Sequence, residues 1–428
     1  MLSMLRNCRE SLYYSGAGLC CRALGEEIAG KNMLAAAAQP VAFTGRSTAG
    51  LAFPPEFDLL LACCASCVEE HPDRVPEALS PRLDWERVLQ LADQHGVVPH
   101  VYLRLSAAQG LLPAQMLNRL RQRYEANARQ ALWLTRELLR ILEHLHSRGI
   151  AALPYKGPVL AEFLYGNVLQ RQFGDLDIIV RASDVVCAKA AVRALGYEPS
   201  LTLTAKQEQA YLQSGYEYAF DSSHGRNLLE IQWQILPRFY AVNFDMDGLL
   251  QRAQSLTVSG HPLQTLGMED LVLVLSAHAA KHAWIQLSWL CDLVRLAEGK
   301  PVRWEVVQQQ AERLGIERIV KASFLLAHKL LGAEIPAALQ APGNQAESLT
   351  AQVLPILGGR EEINPESIPY FKLMLSSRER RRDRLRFLWR LAVTPGIGEW
   401  SAIRLPSPLF PLYRGVRTVR LATRLFAG

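Results

Sequence analysis

The chain has 428 residues, 49% of them hydrophobic and 21% charged, with 47 basic against 41 acidic side chains. This is the balance of a globular protein with a sizeable core, and its length suits two or three folding units. No apolar run reaches the ~18–20 residues that cross a bilayer, which excludes an integral helical membrane protein.

Residues 1–52 are rich in small side chains and weakly periodic, which predicts a poorly ordered extension. Met33 is a candidate later start. The N-terminus lacks the basic, apolar and small-residue succession of a signal peptide. Eight cysteines form no disulfide framework. Cys63, Cys64 and Cys67 stand in an apolar helical run with no second ligand pair, so burial is expected rather than zinc. A cytoplasmic location is expected.

Residues 53–148 read as helical. Asp84 is placed to cap one helix and Gly96 to stop it, and a long helix is expected from Pro113 to His146. The grammar changes at Ile150. Residues 149–265 read as a mixed core: a short strand at residues 150–155, a helix over residues 159–165, a buried strand at residues 177–180, and a helix from Ser183 or Asp184 to Leu195. Two more strands follow, at residues 216–220 and 228–235, across a polar turn. Residues 266–428 read as helical again. The predicted class is α+β: a mixed sheet core flanked by N-terminal and C-terminal helical regions.

The candidate chemistry begins with Asp175 and Asp177. Acids two apart on a strand project to one face, their α-carbons ~6.7 Å apart. Carboxylates held that close repel unless a cation lies between or beside them. Magnesium, a hard ion that also binds phosphates, suits such a pair. Glu230 lies on a cleanly alternating strand, with Leu229, Ile231, Trp233 and Ile235 facing one way and Glu230, Gln232 and Gln234 the other. It is a candidate third ligand and proton acceptor. Lys156 and Gly157 open a helix, where backbone N–H groups hold phosphate. His278, Lys281, His282, Ile285, Trp289 and Asp292 are expected on one face of a single helix, with a histidine and Lys281 candidates to reach the ligand.

These pieces together resemble the uncharacterised nucleotidyltransferase family of the polymerase-β-like superfamily. The likeness rests on Lys156-Gly157, Leu164-Tyr165-Gly166, Arg171, Asp175-Leu176-Asp177 before an apolar strand, Leu195–Tyr197, and Leu229-Glu230-Ile231-Gln232-Trp233. His278, Lys281, His282, Trp284, Trp289 and Asp292 extend it, and it covers most of residues 54–425. The resemblance implies a nucleotidyltransferase fold, two magnesium ions, and a nucleoside triphosphate, with ATP the expected donor. It implies Asp175, Asp177 and Glu230 as metal-binding catalytic acids, with Gly157, Lys156, Arg171, Lys281 and His278 around the nucleotide. The acceptor implied is a hydroxyl on a small molecule, peptide or glycan precursor. The alternatives are transfer to RNA or protein, as in toxin-type relatives, or nucleotide binding without turnover. Three features depart from the pattern: Pro158 follows Gly157, Asp175 comes 18 positions after Gly157, and Gln232 stands where the family often has histidine.

From Ser376 onward, twelve arginines against three acids give +9, leaving −3 for the rest of a chain whose net charge is +6. The Arg-rich helix at residues 378–390 reads first as a solvated amphipathic helix packed through Leu385, Leu388 and Trp389, with binding to an anionic surface, membrane or nucleic acid, as the alternative.

Overall fold

The computed structural model describes residues 53–427, apart from residues 66–73, 80–81, 109, 111, 341–343, 360–362, 365–366 and 404. The expectations for residues 1–52 and for Cys67 fall outside the described residues.

Five helices lead into the sheet: α1 (Pro55–Cys64), α2 (Arg74–Ala78), α3 (Trp85–Gln94), α4 (Val98–Ala107) and α5 (Ala114–His146). Asp84 caps α3 by accepting from the backbone of Glu86 and Arg87, as its position predicts. Cys63 and Cys64 are free and buried in α1. Burial pushes the Cys63 thiol up to about 12, leaving an inert hydrophobic side chain.

The sheet is built from β1 (Ala152–Pro154), β2 (Leu176–Val180), β3 (Glu198–Pro199), β4 (Glu217–Ser222) and β5 (Gly225–Gln232), in the order β1-β2-β5-β4-β3. Only the β2–β5 pair is parallel; the other neighbours run antiparallel. The helices between these strands are α6 (Gly157–Tyr165), α7 (Val185–Ala194) and α8 (Ala205–Ser214). One face of the sheet packs on α5, whose Ala131, Leu134, Leu138, Ile141 and Leu145 recur at helical spacing and are buried with Ile178, Leu229 and Ile231. Helix α9 (Met246–Gln251) and a hairpin of β6 (Gln254–Val258) and β7 (His261–Thr265) follow. Periodicity does not predict that hairpin, whose strands carry few branched apolar residues.

The remaining helices are α10 (Met268–Lys281), α11 (Leu287–Gly299), α12 (Trp304–Leu314), α13 (Glu317–Leu331), α14 (Asn344–Leu357), α15 (Ile368–Ser376), α16 (Arg381–Val393), α17 (Ile397–Ala402) and α18 (Tyr413–Ala427). The expected single helix through His278 and Asp292 is two. Ala283 and Trp284 take left-handed backbone angles, φ 53° and 52°, and turn the chain between α10 and α11. Trp284 is held there by its backbone N–H on Ala279 O and its indole N–H on Ser323 Oγ, both at 2.8 Å. No glycine or proline announces this break.

The N-terminal helices share one core with α10–α15. Trp400 and Tyr413, near the C-terminal end, are buried instead with the sheet. Among the described residues no helix is long and apolar enough to cross a membrane.

Candidate active site

Strand register gathers the acids. Asp177 on β2 sits directly opposite Glu230 on β5, across a parallel pairing, with backbones ~4.8 Å apart. On the other side of β5, Ala219 of β4 faces Glu230 and Glu217 faces Gln232. Alternation therefore places Asp177, Glu230, Gln232 and Glu217 on one face, and sends Ile178, Ile231 and Tyr218 into the core behind. Asp175 lies just before β2, two residues from Asp177.

Few polar groups here meet water: Asp177 is only 2% exposed. Its Oδ1 accepts from Lys156 Nζ at 2.8 Å and from Gln232 Nε2 at 3.0 Å. The same Gln232 nitrogen donates to Glu230 Oε2 at 3.0 Å, and Tyr155 OH donates to Gln232 Oε1 at 2.8 Å. Carboxylates only accept, so the amide nitrogen must face the acids and its oxygen the phenol. Gln232 is thus a wedge between two carboxylates.

The charge is not fully balanced. Asp177 Oδ2 and Glu217 Oε2 are buried without a hydrogen-bond partner among the described residues. Burial, then the neighbouring Asp177, raises Asp175 to about 6. Burial, then Glu217 and Asp177, raises Glu230 to about 9 against the pull of Lys156 and Lys281. A cluster of desolvated, mutually repelling acids with an orphaned oxygen fits a divalent cation chemically. As the side chains stand, no three His, Cys, Asp or Glu groups among the described residues are arranged to hold a metal ion. The Lys156 ammonium and Gln232 amide occupy the lone pairs such an ion would use.

Glu217 is the member that sequence reasoning missed. Its position beside Gln232 follows only from the β4–β5 register. Tyr216 OH donates to Glu217 Oε1, and Lys281 Nζ donates to that phenol at 3.2 Å while lying 4.9 Å above its ring. Lys281 therefore reaches the acids from α10, through Tyr216.

Lys156 is the N-cap residue of α6. Burial is the largest single influence and works against its charge, but Asp177, Tyr155, Asp175 and Glu230 together overcome it and hold the ammonium above the ordinary lysine range. Gly157 follows with φ +57°, and a Cβ there would meet Asp175 O at 3.1 Å. Both facts demand glycine. Gly157→Ala is expected to cost ~1–2 kcal/mol and to displace Asp175, lowering the melting temperature and any metal affinity together. A variant with wild-type stability would refute the constraint.

Arg171 is placed elsewhere than the expected phosphate contact. Its Nε lies 3.1 and 3.0 Å from the two oxygens of Asp292 on α11, and its Nη2 2.9 Å from Oδ2. Tyr165 OH donates to the same carboxylate at 3.0 Å. The fork is committed to a buried ion pair that fastens the loop before β2 to α11.

His278 and His282 cluster with Trp289, the two imidazole centroids 4.7 Å apart and the indole 5.3 Å from His278, edge-on, and 5.4 Å from His282, tilted. Burial, then Lys156, holds His278 well below the ordinary histidine range. Burial, then Lys281, lowers His282 to about 3. Both imidazoles are neutral at pH 7, beside a site already rich in cations.

Mixed sheet, strand-borne acids and helix-opening glycine together define a nucleotidyltransferase. Residues 81–332, more than half of the chain, match the family described as uncharacterised nucleotidyltransferase, and the chain belongs to that family. It is a transferase of the nucleotidyl class, with a nucleoside triphosphate as donor; the family generally uses a divalent metal. A solved structure, an antigenic nucleotidyltransferase-like protein from Paracoccidioides brasiliensis, is similar at 14% identity and a TM-score of 0.28, covering 49% of this chain and 97% of that one. No curated protein matches the chain.

Proposed function

We propose that the protein transfers a nucleoside monophosphate from a triphosphate, with ATP the first donor to test, to a hydroxyl on a small molecule, peptide or glycan precursor. The reading includes magnesium dependence, with Asp175 and Asp177 serving two ions and Glu230 the catalytic one. One observation carries it: Asp177 and Glu230 are register partners on parallel strands, desolvated, with Asp177 Oδ2 lacking a partner. Magnesium, when bound, would neutralise phosphate charge and make the acceptor hydroxyl more acidic.

The chain's own groups then have definite work. Gly157 brings backbone N–H groups at the start of α6 toward phosphate oxygens. Lys156 exchanges its Asp177 contact for a phosphate, and Lys281 approaches from α10. Neutral His278 serves as a hydrogen-bonding group rather than a charge. Glu230 orients the acceptor hydroxyl and takes its proton as the new O–Pα bond forms and pyrophosphate leaves. Buried free thiols at Cys63, Cys64 and Cys291 suit a reducing cytoplasm.

The test is incubation with each nucleoside triphosphate and magnesium in cell extract, followed by mass spectrometry. The expected product is a low-molecular-weight acceptor carrying one nucleotide, with pyrophosphate released. Labelling confined to RNA or protein would replace the acceptor class. A second reading, nucleotide binding without turnover, is favoured by the Lys156 and Gln232 contacts that already compensate Asp177. It predicts binding with no pyrophosphate from any triphosphate.

A further inference from the structure

Helix α16 turns an unusual face outward. Asp383, Phe387 and Leu391 are its buried residues, spaced one turn apart. At ~100° per residue, the opposite side of the helix carries Arg381, Leu385, Leu388 and Trp389. The expectation that the helix packs through Leu385, Leu388 and Trp389 is overturned, because Phe387 and Leu391 face the core instead: Leu385 is 68% exposed, Leu388 47% and Trp389 69%. Arg381, Arg382 and Arg386 are exposed around them. Helix α18, packed against α16, exposes Val419 as well, and Leu412 is exposed just before it.

We propose that this face of α16 docks the protein on a membrane surface bearing anionic lipid. Charge complementarity commits the occupant, because the segment from Ser376 carries +9 while the remainder of the chain carries −3. Arginines suit lipid phosphates and carboxylates, while the leucines and Trp389 suit the acyl boundary beneath them. A nucleic acid would use the arginines but leave three large apolar side chains in water. A second copy of the chain, docked by a two-fold axis, would bring Arg381, Arg382 and Arg386 against their own symmetry mates. The reading is independent of the carboxylate site.

The experiment is vesicle flotation with the full chain, comparing pure phosphatidylcholine with phosphatidylcholine containing phosphatidylserine. Binding is expected only to the anionic vesicles, and it should weaken as salt rises. Leu385→Ser/Trp389→Ser is expected to lower that binding about tenfold or more, and Arg381→Glu/Arg382→Glu/Arg386→Glu by at least as much. These side chains are exposed, so unchanged melting temperatures should accompany both losses. Vesicle binding unaltered by either variant would overturn the proposal. So would an absence of vesicle binding, whether the same variants abolish an RNA gel shift or convert a dimer to monomer by light scattering.

Discussion

Glu230→Gln and Asp177→Asn are expected to give the same loss of activity and opposite changes in stability. Each removes a carboxylate proposed to hold magnesium, so pyrophosphate release should fall by roughly a thousandfold or more. The stability contrast comes from what each acid faces without metal. Glu230 is raised to about 9 by burial and by Glu217, so the fold prefers it protonated. That preference contributes stability in full below the ordinary carboxyl value of 4.5 and loses it as pH rises through about 9. A neutral glutamine avoids the loss. Glu230→Gln should therefore stabilise the metal-free protein by roughly 1–3 kcal/mol near neutral pH, with a difference that widens from about pH 5 to about pH 9. Asp177 instead pairs with Lys156 at 2.8 Å, where the side chains are only 1% and 10% exposed. An asparagine in its place would leave that ammonium buried without its countercharge and cost roughly 3 kcal/mol. Thermal unfolding in chelator at several pH values reads both signs. Added magnesium should raise the wild-type melting point and leave both variants unmoved. An active Glu230→Gln protein, or one less stable than wild type at about pH 8, would remove Glu230 from the proposed role.

How much of this was legible beforehand depends on the range of the interaction. Asp84 as a cap, α5 (Ala114–His146) behind its N-cap Pro113, and the starts and stops around β2 were readable because they are local. Asp175, expected on the same strand as Asp177, lies just before β2, whereas Asp177 and Glu230 were readable as candidates because alternation along each strand assigns faces. That Asp177 lies directly opposite Glu230 was not, since register is a property of two strands. Glu217 was hidden for the same reason. The break at Ala283 and Trp284 was invisible because left-handed backbone at an alanine and a tryptophan is imposed by tertiary contacts, not by residue preference. The helical regions before and after the sheet read as separate, yet Leu60, Val101, Leu275 and Phe324 lie in one core. A linear reading of periodicity cannot see a core assembled from distant segments.

Arg171 carries a partner that local reading does not reveal, and it yields the largest stability prediction. An arginine four residues before paired acids invites a phosphate role. The structure gives it three contacts to Asp292, with side chains 7% and 1% exposed, and adds Tyr165 OH to the same carboxylate. Removing one partner strands the other charge in the interior. Arg171→Met or Asp292→Ala should each cost roughly 3–5 kcal/mol, seen as a fall in melting temperature without any nucleotide present. The double variant Arg171→Met/Asp292→Leu removes both charges and fills their space, so it should recover about half of that loss or more. Activity should not recover in parallel. The pair fastens α11, which carries Trp289, to the loop entering β2, and Trp289 in turn packs on His278 and His282 of the α10 end that presents Lys281. A greasy replacement restores cohesion but not the angle set by a bidentate fork. If Arg171→Met proves as stable as wild type and only weakens triphosphate binding, the ion pair is dispensable and the phosphate role stands in its place.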